Sequence, residues 1–218
     1  MKRESLRRLF WAGIFGITMG YFEASVVVYL RAIYYPEGFS FPLAVGRTDL
    51  LLVELGRELM SIGMILAVAA LAGRNLFERF SIYCFIFGVW DILYYIFLKL
   101  TINWPPSLFT WDILFLIPVP WVGPVWAPVL CSLCFIISCI LIVRCEDRGR
   151  PVRPSLLEWA MAISGGIIII LSFCEEYRIV IAGGEPESFC LPLFFLGIAL
   201  GAAAFIRAYI RALGKEKT

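Results

Sequence analysis

The sequence predicts an all-α membrane protein, a polytopic bundle of six transmembrane helices. Of its 218 residues, 61% are apolar and only 17% are charged, whereas soluble domains are nearer half apolar. Apolar runs of about 20 residues recur along the chain, and each is long enough to cross a bilayer core of roughly 30 Å. One integral-membrane domain is expected over residues 1–218, with spans at about residues 9–32, 48–72, 78–99, 122–143, 155–176 and 189–213.

Lysine and arginine are distributed unevenly between the two sides of the predicted bundle. Fourteen of the 19 fall in the N-terminal segment, the 2–3 turn, the 4–5 loop and the C-terminal segment. Four fall on the other side, namely Arg31, Arg47, Lys99 and Arg178. Because basic residues stay on the cytoplasmic side of a membrane, both termini are predicted to be cytoplasmic. We therefore expect a multi-pass protein of a bacterial-type plasma membrane.

The N-terminal segment superficially resembles a secretory or twin-arginine signal. No Ala-x-Ala cleavage site follows its apolar run, and Glu23 interrupts that run. More apolar spans come after it, so the segment is interpreted as an uncleaved first span.

Small residues and helix-start residues support the individual spans. Gly13, Gly16 and Gly20 in span 1, and Gly197 with Gly201 in span 6, have the spacing that lets helices approach closely. Residues 48–49, Thr-Asp, suit a helix start for span 2. Residues 155–158, Ser-x-x-Glu, are typical of a capping box and predict the start of span 5.

Prolines interrupt the segment between spans 3 and 4. Four of them follow Trp111–Ile117, a stretch too short to cross a membrane. The sequence therefore predicts a proline-broken half-helix or re-entrant segment in the outer 3–4 loop. Irregular backbone at membrane depth is tolerated only where protein covers it or where it lines a cavity, so a pocket is expected there.

Acidic side chains converge on one layer of the predicted bundle. Glu23 lies in the outer half of span 1, and Glu54, Arg57 and Glu58 lie in the outer half of span 2. Asp91 follows the midpoint of span 3. A carboxylate inside a membrane span is costly and marks a functional site by default. These groups are predicted to share one outward-facing acidic–aromatic cavity.

Glu23, Glu58 and Asp91 are the candidate catalytic residues, acting as acid and base. Two interpretations of Arg57 stay open. Arg57 can form a purely local ion pair with Glu54, three residues earlier on the same helix, with Glu58 paired elsewhere or protonated. Alternatively, Arg57 holds one carboxylate and leaves another for a ligand or a proton. Glu23 and Asp91 have no basic neighbour on their own helices. Each is therefore expected either to pair with Arg57 or to be neutral.

The candidate ligand-binding residues combine charge with aromatic rings. They are Glu54, Arg57, Asp112, Trp90, Tyr94, Tyr95 and Trp111. Simpler interpretations stay open for several of them. Asp91 could hydrogen-bond to Tyr94, to Tyr95 or to span 1, and Asp112 fits the first turn of a short helix. Trp111 fits an interfacial aromatic belt.

Histidine is absent from the chain. Neither haem nor a histidine-based metal site is therefore expected, no metal site is assigned, and the cofactor stays unknown. Cys131 and Cys134, inside span 4, are interpreted as apolar packing. Cys174 and Cys190 flank an outer hairpin and are candidates for a disulfide. The basic loops are explained by topology and lipid headgroups, so no nucleic acid partner is expected.

Three functions stay open. The first is an intramembrane acid–base enzyme acting on an apolar, polyprenyl-type lipid. The second is a cation or proton-coupled transporter. The third is a non-catalytic subunit of a larger membrane complex. The expected partners are membrane lipids and, in the third case, other membrane subunits.

Overall fold

A computed structural model describes residues 1–42 and 48–214 of the chain. Its elements are α1 (Arg3–Tyr34), α2 (Thr48–Ala72), α3 (Leu76–Ile102), β1 (Trp111–Phe115), β2 (Trp121–Pro124), α4 (Trp126–Asp147), α5 (Leu156–Cys174), α6 (Tyr177–Ile181) and α7 (Leu191–Gly214). In this part of the chain, six helical stretches are long and apolar enough to cross a membrane, with α5 and α6 counted as one stretch. The predicted number of six apolar helices is confirmed, and it supports a multi-pass membrane protein. Arg47, Lys215 and Lys217, used in the orientation argument, lie outside the described residues.

Helix α1 packs along α3 through its glycines. A Cβ atom at Gly16 would lie 2.9 Å from the Val89 side chain, and one at Gly20 would lie 2.9 Å from Leu93. Both residue numbers rise together along this contact, so the two helices run parallel. Only glycine permits this approach, as the small-residue spacing predicts.

Helices α5 and α7 form a second close pair, which is antiparallel. A Cβ atom at Gly165 would lie 2.7 Å from the carbonyl oxygen of Gly197. Ser155 and Glu158 form the predicted capping box at the start of α5. Glu158 also accepts a hydrogen bond from Arg211 of α7 at 2.5 Å. The cap and the ion pair join the start of α5 to the last turn of α7.

The segment between α3 and α4 is a β-hairpin. β1 pairs antiparallel with β2, so the predicted half-helix is wrong, and a re-entrant segment is not confirmed. Pro118 and Pro120 lack the backbone N–H that a helix needs and disfavour the α conformation of the residues before them. Aromatic and β-branched residues on either side instead fit strands. Helix α4 accordingly begins at Trp126 rather than at Val122.

The bundle has two ends, a hairpin end and a terminal end. The hairpin end carries β1 and β2 and the ends of α1 and α3. The terminal end carries the start of α1 and the end of α7, and there Arg8 pairs with Glu78 at 2.5 Å. Cys174 and Cys190 are both free thiols, so the disulfide considered for them is not present.

Candidate functional site

A cavity of about 240 Å³ lies at the hairpin end, between α1, α2, α3 and β1. All the predicted site residues except Trp111 line it, namely Glu23, Glu54, Arg57, Glu58, Trp90, Asp91, Tyr94, Tyr95 and Asp112. The Trp111 ring instead packs against Phe189, with 6.4 Å between the ring centroids. One space thus brings together acidic groups from three helices and a strand.

Arg57 is the counter-charge for two of the carboxylates. Its Nη1 donates a hydrogen bond to Oε2 of Glu23, and its Nε donates one to Oε2 of Glu54 at 2.8 Å. The Glu54 contact is the predicted pair within α2. The Glu23 contact joins α2 to α1, which is one of the two outcomes expected for Glu23. All three side chains are largely withdrawn from solvent.

Asp112 pairs with Arg31 rather than beginning a helix, so that interpretation of Asp112 is wrong. Arg31 Nη2 donates to Asp112 Oδ1 at 3.1 Å, and Asp112 is only 2% exposed. The Arg31 guanidinium carbon lies 3.7 Å from the Trp104 ring centroid and 4.4 Å from that of Phe39. Burial raises the pKa of the Asp112 carboxyl to about 6, although Arg31 opposes the rise. At this end of the bundle, the cationic Arg31 guanidinium thus lies against the faces of two aromatic rings.

Glu58 fastens the hairpin to α2. The backbone N–H of Leu116, just after β1, donates to both carboxylate oxygens of Glu58, at 3.2 and 3.0 Å. Close packing under β2 holds the hairpin from its other side. Asp112 lies opposite Gly123 in the strand register, where a Cβ atom would lie 2.8 Å from the Phe173 ring. The hairpin thus closes one wall of the cavity.

Asp91 is held by a neutral partner from a different helix. The Ser132 hydroxyl of α4 donates to Asp91 Oδ2 at 2.8 Å. Asp91 thus has an inter-helix hydrogen bond, and the partner lies on span 4 rather than at Tyr94, at Tyr95 or on span 1. Close packing of α3 on α4 explains the contact, because a Cβ atom at Gly88 would lie 2.7 Å from the Ser132 carbonyl oxygen.

The lining of this cavity has fewer positive than negative side chains. Its described lining contains five carboxylates and two arginines. Arg57 is bound to Glu23 and Glu54, and Arg31 is bound to Asp112. Glu58 and Asp91 have no basic side chain at ion-pairing distance within residues 1–42 and 48–214. These two are the carboxylates that the protein's own described cations leave without a salt bridge.

Aromatic rings form much of the remaining wall. The Trp90 ring packs edge-on against Phe87 at 5.3 Å and lies 6.2 Å from Phe115. Tyr94 and Tyr95 meet in a T-shaped contact at 4.9 Å. Such faces attract cations through the negative potential above each ring.

Sequence reasoning missed several contributors to this region. Arg31 was used only as a topological marker, yet it lies two helical turns beyond Glu23 on α1, and that spacing could have placed it on the same face. Phe39 and Trp104 flank the Arg31 guanidinium. Phe39 follows α1 and Trp104 follows α3, and no local sequence pattern indicates that these two loops meet. Ser132 is one small residue in an apolar run of the sequence, and nothing in that run marks it as the hydrogen-bond partner of Asp91.

Comparison with known proteins gives no relative from which a role could be carried over: no protein-family model, curated protein or solved structure matches this chain.

Proposed function

We propose that the protein binds a small organic cation, an ammonium or quaternary ammonium group, in the cavity at the hairpin end. The observation that carries the proposal is the state of Glu58 and Asp91. Both line the cavity, and both lack a basic partner among the described residues, while the two cavity arginines are already engaged. Glu58 is buried and Asp91 is half-buried. Carboxylates withdrawn from water without a counter-charge are costly, and a bound cation would offset that cost.

The aromatic lining supports the same ligand class. Trp90, Tyr94 and Tyr95 line the cavity beside the carboxylates, and ring faces with acidic groups recognise ammonium ions. The neighbouring Arg31 guanidinium is already held in this way against Trp104. A ligand cation would be held against the ring faces by the same cation–π attraction.

Cavity size supports a small ligand. Pockets for drug-sized molecules begin at about 300 Å³, and this cavity measures about 240 Å³. A polyprenyl chain would extend well beyond it, which weighs against the polyprenyl form of the enzyme hypothesis. A small amine, or the cationic headgroup of a lipid, is compatible with the volume.

The test is thermal stabilisation of the detergent-solubilised protein by tetramethylammonium or methylammonium chloride, compared with sodium chloride at equal ionic strength. A ligand that binds only the folded state adds about 2.7 kcal/mol of stability at a hundredfold excess over its Kd. We expect organic cations to raise the melting temperature of the wild type. Glu58→Gln and Asp91→Asn should each weaken the apparent affinity about tenfold.

Glu185→Gln is the matched control, because Glu185 is an exposed carboxylate between α6 and α7 that does not line the cavity. It should bind like the wild type. Equal stabilisation by sodium and by organic cations would contradict the proposal. So would full cation binding in folded Glu58→Gln and Asp91→Asn.

Acid–base catalysis at the same cavity is the second candidate. It is favoured by Asp91, whose hydrogen-bond partner among the described residues is a neutral hydroxyl and which lies beside aromatic rings. A protonated carboxyl in such a site is a competent proton donor. Chemical change of the bound amine, followed by mass spectrometry, would distinguish an enzyme from a binding protein, and uptake into proteoliposomes would identify a transporter. Purification only together with other subunits would favour the structural role.

A further inference from the structure

A second and larger cavity lies between the α3–α4 helix pair and the α5–α7 helix pair. It is an apolar cleft of about 460 Å³ with α3 and α4 on one side and α5 and α7 on the other. That volume is about three times that of a cavity that a benzene molecule fills. It shares no lining residue with the acidic cavity at the hairpin end.

The wall of this cleft is almost entirely apolar. Ser81 donates to the Phe77 carbonyl oxygen. Glu158 is engaged by Ser155 and Arg211. Among the described residues, none of the buried polar atoms without a hydrogen-bond partner belongs to this lining. An apolar occupant is therefore favoured over a polar one.

The length and position of the cleft match one bilayer leaflet. On α5 its lining runs from Glu158 to Ile169, and on α7 from Gly197 to Ala208. Each stretch rises about 17 Å at 1.5 Å per residue, close to half of a hydrocarbon core of roughly 30 Å. The cleft therefore extends from the terminal end to about the middle of the bundle.

Two arginines, Arg153 and Arg211, lie near the terminal end of the cleft. Val152 and Pro154 line it, and the exposed Arg153 lies between them in the chain. Arg211 follows Ala208 by three residues and donates to the Arg153 carbonyl oxygen at 2.8 Å. Arg153 has no ion pair within the described part of the chain. Each basic residue at a membrane surface contributes about 1 kcal/mol toward anionic lipid.

We propose that this cleft is a binding site for one acyl chain of an anionic phospholipid from the leaflet at the terminal end. The lipid phosphate lies beside Arg153, because Arg211 is already paired with Glu158. The chain fills the apolar space between the α3–α4 and α5–α7 pairs. This inference does not depend on the proposed cation site.

Two glycines allow the cleft to be filled selectively. A Cβ atom at Gly166 or at Gly201 would meet no atom within 4 Å, and both residues line the cleft. Leucine at either position would occupy the space of the acyl chain. Gly63 is the matched control, because its Cβ position is equally open but it lies on an exposed face of α2.

The test is native mass spectrometry after exchange into micelles with equal amounts of phosphatidylglycerol and phosphatidylcholine that carry identical acyl chains. The wild type and Gly63→Leu should retain one phosphatidylglycerol in preference to phosphatidylcholine. Gly166→Leu and Gly201→Leu should lower its occupancy about tenfold. Arg153→Gln should lower the preference for phosphatidylglycerol about fivefold.

Photocrosslinking of the wild type avoids dependence on the folding of variants. Phosphatidylglycerol with a photoreactive group on its acyl chain should label the faces of α5 and α7 that line the cleft. Labelling confined to α1 and α2 would overturn the proposal. Unchanged occupancy in folded Gly166→Leu and Gly201→Leu, or equal retention of both lipids by the wild type, would also overturn it.

Discussion

Arg57 is the residue on which the charge balance of the acidic cavity depends most. Replacing it by glutamine leaves Glu23 and Glu54 buried without a cation, and the loss of one partner from a buried pair costs on the order of 3 kcal/mol. We expect Arg57→Gln to be more destabilising than Glu23→Gln, in which Arg57 still binds Glu54. Denaturant unfolding in mixed micelles measures both.

The double variant provides the internal control for that prediction. Combining Glu23→Gln with Arg57→Gln removes one of the two uncompensated carboxylates, so the combined loss should be smaller than the sum of the single losses. Additive losses, or a fully stable Arg57→Gln, would show that the ion pair does not couple α1 to α2.

Asp112 should titrate near neutral pH. Burial raises its pKa to about 6, whereas the carboxyl of an unfolded chain has a pKa of about 3.9. The folded state therefore binds the proton more tightly, and the contribution of Asp112 to stability falls as the pH rises from about 4 to about 6. Infrared spectroscopy should show a carboxylic acid band that disappears near pH 6 in the wild type and is missing in Asp112→Asn. A midpoint below pH 4 would contradict this.

Prediction from sequence succeeded for residues whose chemistry demands a partner. Glu23, Glu54 and Arg57 fall in one layer of the predicted topology, and a lone arginine among carboxylates has few other places to pair. Ser132 could not be found in this way, because its contact with Asp91 depends on the register of α4 against α3. That register is set by close packing at Gly88, which no local pattern reveals.

The contact between α1 and α3 can be tested with two glycines of α1. A Cβ atom at Gly20 would lie 3.0 Å from the Trp90 carbonyl oxygen, whereas one at Gly13 would lie 3.8 Å from the Phe85 ring. We expect Gly20→Ala to cost about 1–3 kcal/mol through overpacking. Gly13→Ala should be neutral or stabilising, because alanine favours a helix by up to about 1 kcal/mol over glycine.

Gly20→Ala should also weaken cation binding more than Gly13→Ala, because Gly20 packs on the turn of α3 that carries Asp91. Gly20→Ala is expected to weaken tetramethylammonium binding, and Gly13→Ala is expected to leave it unchanged. Melting temperatures measured with and without the cation give both results. Equal behaviour of the two variants would contradict the packing described for α1 and α3.

The hairpin shows where the prediction of elements fails. Spans of about 20 apolar residues are local signals, and all six were found. Trp111–Ile117 is a short apolar run, and such a run fits a strand as well as a buried helix segment. Its pairing with β2 depends on residues beyond two prolines, and its position depends on Glu58 of α2. The correct element therefore required tertiary information.

The whole molecule separates two environments along its axis. The hairpin end holds the acidic–aromatic cavity, while the terminal end holds arginine-rich loops and the mouth of the apolar cleft. In the predicted orientation, with both termini in the cytoplasm, the acidic cavity faces outward and the cleft opens to the cytoplasmic leaflet, where anionic lipids concentrate in many membranes. The two proposed sites thus take ligands of opposite charge from opposite sides.

Glu58 and Asp91 are proposed to hold one organic cation between them. Isothermal titration calorimetry with tetramethylammonium chloride tests this proposal by comparing the wild type with the Glu58→Gln/Asp91→Asn double variant and with Glu185→Gln. We predict one cation bound per chain for the wild type and for Glu185→Gln, and no measurable binding for the folded double variant. Equal binding by all three proteins, or no binding by the wild type, would contradict the account.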